Sequence, residues 1–112
     1  MTEGHKDAEI VRGLVPSMQD LVIQKHASSF FVGTMLEQML RSKGLDTLIL
    51  AGVSTEGGIE WTARHATLLG FMPVIVEDAV GSQIESLHHH ALEMQRGMFP
   101  VMKTQAIIRN LR

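Results

Sequence analysis

Three continuous apolar runs, separated by segments of helical periodicity, limit the possible folds of this chain more than any other feature. The runs are "LVIQ" at residues 21–24, "TLILA" at residues 47–51 and "PVIVE" at residues 73–77, with a weaker fourth run, "FPVMKT", at residues 99–104. Runs rich in Val, Ile and Leu without polar alternation are typical of parallel strands that helices cover on both faces. Strands that alternate with helices predict an α/β domain with a mainly parallel sheet.

Helices are predicted between and after these runs, because apolar residues recur there at spacings of three and four. Their expected ranges are residues 33–44, 58–70, 82–97 and 104–111. The first three end at Gly44, Gly70 and Gly97, and glycine is common just beyond a helix C-terminus. Ser82 and Glu85 have the spacing of a capping box, which predicts that the third helix begins near Ser82.

Composition excludes several classes of function. The chain has 112 residues, which predicts one domain, and its 10 basic and 12 acidic residues give a formal net charge of −2. Nucleic-acid binding needs a basic surface, so we expect no nucleic-acid partner. The chain contains no Cys, which excludes disulfides and thiolate metal sites and suits a cytoplasmic protein. No apolar run reaches the length that spans a bilayer, so no membrane partner is expected.

Three polar or glycine-rich features follow the predicted strands. Lys25 comes after the first, residues 52–58 come after the second, and Glu77 and Asp78 lie at the end of the third. Ligands of open parallel sheets bind beyond the carboxyl ends of the strands, so we expect these features to lie together. A lysine at such a place can keep a partner carboxylate ionised, whereas the simpler interpretation is a surface lysine that leaves the sheet.

The glycine-rich stretch "GVSTEGG" at residues 52–58 is a candidate for the site itself. Its backbone N–H groups, among them those of Ser54, Thr55, Gly57 and Gly58, could bind a carboxylate or a developing oxyanion at the start of a helix. The simpler alternative is an ordinary turn between a strand and a helix. The stretch is neither a Walker loop nor a dinucleotide-binding fingerprint. Ser54 or Thr55 could also act as a nucleophile, although no histidine base can be assigned to either.

The three consecutive histidines at residues 88–90 suggest a metal site at first sight. Consecutive helical residues point about 100° apart, so three in a row cannot easily bind one ion. A solvated helix surface is the better interpretation, with one histidine facing a site or a subunit contact. We therefore expect no metal and no cofactor, and a metal-dependent enzyme that uses these histidines stays an alternative.

The order of motifs along the chain resembles that of the isochorismatase-like hydrolases, also called cysteine hydrolases. The matching pieces are Lys25 followed by "SFFVGT", then "DTLILAGV", "TARHA" and "VEDA", and they span essentially the whole chain. The resemblance implies a three-layer, Rossmann-like parallel sheet with helices on both sides. It also implies hydrolysis of a small-molecule substrate, because the family includes nicotinamidases, N-carbamoylsarcosine amidases and isochorismatases.

The resemblance also assigns roles to individual residues. The family's catalytic Lys corresponds to Lys25, and its Cys nucleophile corresponds to Gly58. The family's oxyanion hole, formed by backbone N–H groups around a cis peptide, corresponds to Ser54 and Gly58. Because Gly58 cannot form a thioester, hydrolysis through a cysteine is excluded. Isochorismatases also lack this Cys and act by proton delivery from an Asp, so the glycine is compatible with a hydrolase.

The family's catalytic Asp has no counterpart in this sequence. It ends the first family strand, whereas Asp7 lies in a polar stretch and Asp78 corresponds to a later, structural position. We therefore expect residues 1–112 to form the C-terminal part of a family domain, without two strands that lie between the first two runs seen here. An exposed sheet edge would result, so self-association is expected. The alternative to a hydrolase is a non-catalytic ligand-binding or oligomeric scaffold member.

Overall fold

The computed structural model describes residue 17 and residues 19–111. These residues form four α-helices, α1 (Leu36–Ser42), α2 (Glu60–Leu68), α3 (Glu85–Arg96) and α4 (Thr104–Asn110). They also form three strands, β1 (Thr47–Val53), β2 (Met72–Gly81) and β3 (Val101–Met102). A π-helical turn, Thr55–Ile59, joins β1 to α2. Within this part of the chain, every helix is too short or too polar to cross a bilayer.

The strands of the described residues form one sheet in the order β1-β2-β3. β1 pairs with β2, and β2 pairs with the short β3, in parallel throughout. The register of the first pair changes after Leu50, which lies opposite Ile75, because the next pair is Gly52 with Val80. β2 therefore bulges beside the end of β1. This parallel sheet with flanking helices confirms the α/β fold expected from the sequence.

Two hydrophobic clusters hold the helices against the sheet. The first joins α2, α3 and β2 and consists of Ile59, Ala63, Ile75, Leu92 and Phe99. The second joins α1 to α2 and the start of β2 and consists of Phe31, Leu40, Ala66 and Phe71. Burial of each large apolar side chain stabilises the fold by about 1.5–3 kcal/mol. Because α2 contributes to both clusters, its packing fixes the position of the turn at its N-terminus.

The first apolar run, residues 21–24, is not a strand, which corrects the prediction from the sequence. Leu21 and Val22 are 54% and 64% exposed, and no regular secondary structure is assigned to them. A strand needs a neighbour for its backbone N–H and C=O groups, and the described residues provide none for this run. β1 is also open to solvent, because Ile49 and Val53 are 49% and 78% exposed at the edge of the described sheet.

The helix ends agree with the sequence in part. Gly44 and Gly70 have positive φ angles of 67° and 91° just beyond α1 and α2, as expected of glycine caps. Gly97 follows α3 with a φ of −86°, so no left-handed cap forms there. The predicted capping box is wrong, because α3 begins after Ile84. The Ser82 hydroxyl instead donates to a carboxylate of the π-helical turn, at 2.9 Å.

Candidate functional site

Lys25, Ser54 and Gly58 line one open cavity of about 650 Å³ beyond the carboxyl end of β1. We call it the Lys25 cavity, and the rest of its wall consists of His26, Ala27, Ser28 and Val53. It lies where parallel α/β sheets bind ligands, since β1 ends at Val53 and α2 begins after the next turn. The structure thus brings together residues that a helix and a strand separate along the chain.

The π-helical turn positions the backbone amides of this cavity. It follows a cis peptide bond between Val53 and Ser54, the feature that the family resemblance associates with an oxyanion hole. The Ser54 carbonyl accepts hydrogen bonds from the N–H groups of Gly57 and Ile59, at 3.0 and 3.2 Å. The Gly57 N–H is therefore engaged inside the turn, and its expected role in substrate binding stays a prediction. Ser54 and Gly58 remain in the cavity wall.

Lys25 and Gly58 lie next to each other in the cavity wall. The Lys25 ammonium donates a hydrogen bond to the Ser28 carbonyl at 2.9 Å and lies 5.9 Å from the centre of the Phe30 ring. A β-carbon built on Gly58 would lie 3.2 Å from the Lys25 nitrogen and 3.4 Å from the Ser28 carbonyl oxygen. A side chain at residue 58 would therefore contact the ammonium directly, as the family's Lys and Cys are expected to do.

Thr55 supports the turn from the side of the core and does not line the cavity. Its side chain is fully buried, and its hydroxyl is hydrogen-bonded to Nδ1 of His88 at 2.7 Å. Its carbonyl accepts an N–H of the buried Gln95 amide at 2.9 Å. Both partners belong to α3, so that helix holds the turn in place. The Thr55 side chain thus points away from the cavity, and the expected role of the Thr55 backbone N–H in substrate binding stays a prediction.

Glu77 and Asp78 are absent from the wall of the Lys25 cavity, contrary to expectation. Glu77 accepts a hydrogen bond from Arg96 at 3.0 Å, and Asp78 accepts the N–H and the hydroxyl of Thr104, both at 2.8 Å. The Thr104 N–H is the main reason why the pKa of the Asp78 carboxyl lies below its usual value. These two acids join β2 to the helices α3 and α4.

His26 is the cavity residue that reasoning from the sequence missed. It lies in the wall directly after Lys25, and its position at the end of an apolar run was the available signal. None of the wall residues carries a carboxylate, so the acid that the family resemblance requires near Lys25 is not supplied by this wall. Asp7, considered from the sequence, lies outside the described residues.

The three consecutive histidines have separate surroundings. Nδ1 of His88 is hydrogen-bonded to the Thr55 hydroxyl, whereas Nε2 of His89 lies 3.4 Å from the Glu85 carboxylate on the exposed face of α3. Among the residues that the structure describes, no three or more His, Asp or Glu side chains are grouped in a way that could hold a metal ion. The arrangement makes His88 a structural partner of the turn.

Comparison with known proteins agrees with the motifs. The family model described as the isochorismatase domain matches residues 1–106. The chain is 44% identical over 73 residues to YecD of Escherichia coli O157:H7, an uncharacterized isochorismatase family protein, covering 65% of this chain and 39% of YecD. It is 34% identical over 88 residues to a maleamate amidohydrolase of Pseudomonas putida, covering 79% of this chain and 41% of that protein.

A solved structure supports the same assignment. The isochorismatase family protein from Desulfovibrio vulgaris superimposes with a TM-score of 0.89 at 31% identity, covering 96% of this chain and 57% of that chain. The present chain thus spans about two-fifths of the two relatives' length and somewhat more than half of the solved structure. Since the family model matches nearly all of the sequence, the chain belongs to the isochorismatase family.

Proposed function

We propose that this chain provides part of an isochorismatase-like hydrolase that acts on a small molecule without a cysteine nucleophile. The observation that carries the proposal is the Lys25 cavity, in which the Lys25 ammonium lies 3.2 Å from the β-carbon position of Gly58 and Ser54 lies in the same wall. The relative named maleamate amidohydrolase supports small amides as one substrate class to test.

The contents of the cavity limit the chemistry. Without a thiol at residue 58 the protein cannot carry an acyl group there, so water must attack the substrate or a proton must be delivered to it. Lys25 supplies positive charge, which stabilises the negative charge that develops on a substrate oxygen. The N–H groups of Ser54 and Gly58 would bind the same oxygen in the expected oxyanion site. His26 lies in the same wall and is our candidate for exchanging a proton with a bound substrate or water.

A non-catalytic role is the alternative, and one observation favours it. The wall of the Lys25 cavity contains no carboxylate, whereas the family chemistry uses an Asp. A member without this acid could still bind a small molecule through Lys25 and the amides, or act as an oligomeric scaffold. A carboxylate supplied by a second polypeptide would complete the set of catalytic groups that the family uses. The hydrolase alternative therefore predicts activity on association, whereas the non-catalytic alternative predicts none.

We also infer that the chain self-associates. β1 is at the edge of the described sheet, and Ile49 and Val53 on it are 49% and 78% exposed. An exposed apolar edge strand is a template for pairing with another strand. The single-domain organisation and the cytoplasmic location stay predictions, and both are consistent with this proposal.

Turnover of a panel of small amides and vinyl ethers by the purified protein tests the proposed function, because a vinyl ether is the bond that isochorismatases cleave by proton delivery. Removal of one charge-stabilising group at such a site typically costs about 10²–10³-fold in rate, and we expect a loss of this order for Lys25→Met. The matched control is Lys43→Met at the end of α1, outside the cavity, which should keep its activity. Equal rates for wild type and Lys25→Met would exclude this site. Binding of panel members without turnover would favour the non-catalytic alternative.

A further inference from the structure

A second cavity, of about 530 Å³, lies on the outer side of α2 and shares no lining residue with the Lys25 cavity. We call it the Trp61 cavity. Its apolar walls consist of Val32, Trp61, Leu68, Met98 and Phe99. Trp61 is 57% exposed and Leu68 is 85% exposed, so the cavity presents a bare indole ring and an aliphatic surface to solvent. Cavities of this size with apolar walls and a few polar groups are typical of small-molecule sites.

The polar groups of the Trp61 cavity begin with a fixed pair, Ser29 and His65. The Ser29 hydroxyl is hydrogen-bonded to Nδ1 of His65 at 2.8 Å, and it accepts the N–H of Phe31 at 3.3 Å. Ser29 is only 8% exposed, and the Phe31 ring lies 5.2 Å from the imidazole. The imidazole is therefore held in one orientation at the cavity wall rather than moving freely on the helix surface.

Arg64 adds a positive charge to the same wall. Its Nε donates to Glu60 at 3.2 Å, one turn earlier in α2, and its side chain is 37% exposed. Among the described residues, the terminal guanidinium nitrogens of Arg64 have no hydrogen-bond partner. A guanidinium has five N–H donors in a planar fork that matches the two oxygens of a carboxylate. Arg64 can therefore bind an anionic group while it keeps its contact with Glu60.

We propose that the Trp61 cavity is a binding site for a planar aromatic carboxylate. The aromatic ring of the ligand stacks on the Trp61 indole and contacts Leu68 and Met98. The carboxylate of the ligand accepts hydrogen bonds from the terminal nitrogens of Arg64. The apolar walls are complementary to the aromatic ring of such a ligand, and Arg64 is complementary to its carboxylate. A purely apolar ligand or a small anion would contact only part of the site. This site is independent of the proposed hydrolysis at Lys25.

A single fluorine probe tests the proposal without any activity assay. Trp61 is the one Trp of the chain, so growth with 5-fluorotryptophan gives one ¹⁹F resonance at the cavity. Titration with 2-naphthoate should shift this resonance to saturation. Its neutral isostere 2-naphthamide should bind about tenfold or more weakly, because a hydrogen bond to a charged group is worth more than a neutral one.

Two pairs of variants assign the charge effect to this cavity. Arg64→Met should weaken naphthoate binding to the level of naphthamide, whereas Arg109→Met on α4 should not. Because Arg64→Met also removes the contact with Glu60, Leu68→Glu provides a second test at a highly exposed position. The added carboxylate of Leu68→Glu should repel naphthoate, and the isosteric Leu68→Gln should not.

Three results of the naphthoate titrations would overturn the proposal, and a fourth comes from varying the protein concentration. They are the absence of a saturable shift, equal affinity for naphthoate and naphthamide, and equal naphthoate affinity in Leu68→Glu and Leu68→Gln. A resonance that shifts with protein concentration and not with naphthoate would show instead that a second copy of the chain covers the cavity, and it would also refute a ligand site.

Discussion

The Lys25 ammonium nitrogen lies 3.2 Å from the point that a β-carbon on Gly58 would occupy. The carbonyl oxygens of Ser28 and Val53 lie 3.4 and 3.6 Å from the same point. A side chain introduced at residue 58 would therefore enter a polar space beside a positive charge. This relationship makes residue 58 the most direct place to test whether the cavity retains a family-like arrangement.

Gly58→Cys should introduce a thiol that reacts with iodoacetamide severalfold faster than free cysteine at neutral pH. The Lys25 ammonium and the amides at the start of α2 both favour the thiolate, which is the reactive form. The rate of carbamidomethylation, followed by mass spectrometry, checks this expectation. The matched control is Gly81→Cys, because Gly81 has open space around its β-carbon position and should give an ordinary thiol.

Lys25→Met in the Gly58→Cys background should remove most of the gain in reactivity, because it deletes the nearby positive charge. The same assay measures it, with Lys43→Met in the same background as the control. If the thiol introduced at residue 58 reacts no faster than that at residue 81, and Lys25→Met changes nothing, the two positions do not form a family-like site. The non-catalytic alternative would then be preferred.

Thr55→Val should lower the free energy of unfolding by about 1–3 kcal/mol, because it removes a buried hydroxyl and leaves Nδ1 of His88 without its partner. The change is nearly isosteric, so little of the loss comes from packing. Thr47→Val at the exposed start of β1 is the control and should stay within about 0.5 kcal/mol of wild type. Urea denaturation measures both. Equal losses would show that the contact with His88 does not stabilise the turn.

Ile75→Ala should be among the most destabilising substitutions, with a loss of about 2–5 kcal/mol, because Ile75 is fully buried at the centre of the first cluster. Ile49→Ala removes the same atoms from a half-exposed position on β1 and should cost much less. The midpoint of urea denaturation should therefore fall more for Ile75→Ala than for Ile49→Ala. Equal midpoints would contradict the difference in burial between these two positions.

The stabilisation from Asp78 should depend on pH. The Thr104 N–H lowers the pKa of this carboxyl, so its contribution is complete above the ordinary value of 3.8 and is lost as the pH falls through the lowered folded-state value. Asp78→Ala should therefore destabilise the protein near neutrality, and its difference from wild type should shrink in strong acid. Thermal unfolding measured between neutral pH and pH 2 checks this, and a difference that is constant with pH would contradict it.

The exposed edge of β1 should mediate self-association. We expect light scattering to show a species larger than a monomer at micromolar concentration. Ile49→Lys should shift it toward the monomer, because a charge on an edge strand opposes pairing. Leu111→Lys, which changes a residue that is 72% exposed at the far end of α4, should have no such effect. A wild-type protein that is monomeric under these conditions would exclude this inference.

The sequence alone determined the features that depend on neighbouring residues. The continuous apolar runs that became β1 and β2 were predicted because apolar residues without alternation need burial on both sides. Gly44 and Gly70 were predicted as caps because only glycine adopts their positive φ angles at little cost. Lys25 and Gly58 were identified from the motifs around them, whose order along the chain is specific to the family.

The tertiary structure decided everything that depends on a partner distant in the chain. Residues 21–24 have the composition of a strand but no neighbour to pair with in the described residues, so backbone hydrogen bonding and not composition determined their state. Ser82 donates to the π-helical turn rather than capping α3, and Thr55 turns inward toward His88. The Trp61 cavity exists only because α2 packs beside residues far from it in sequence. Local preference thus indicated most of the elements, whereas strand pairing, side-chain direction and the sites between elements were set by tertiary packing.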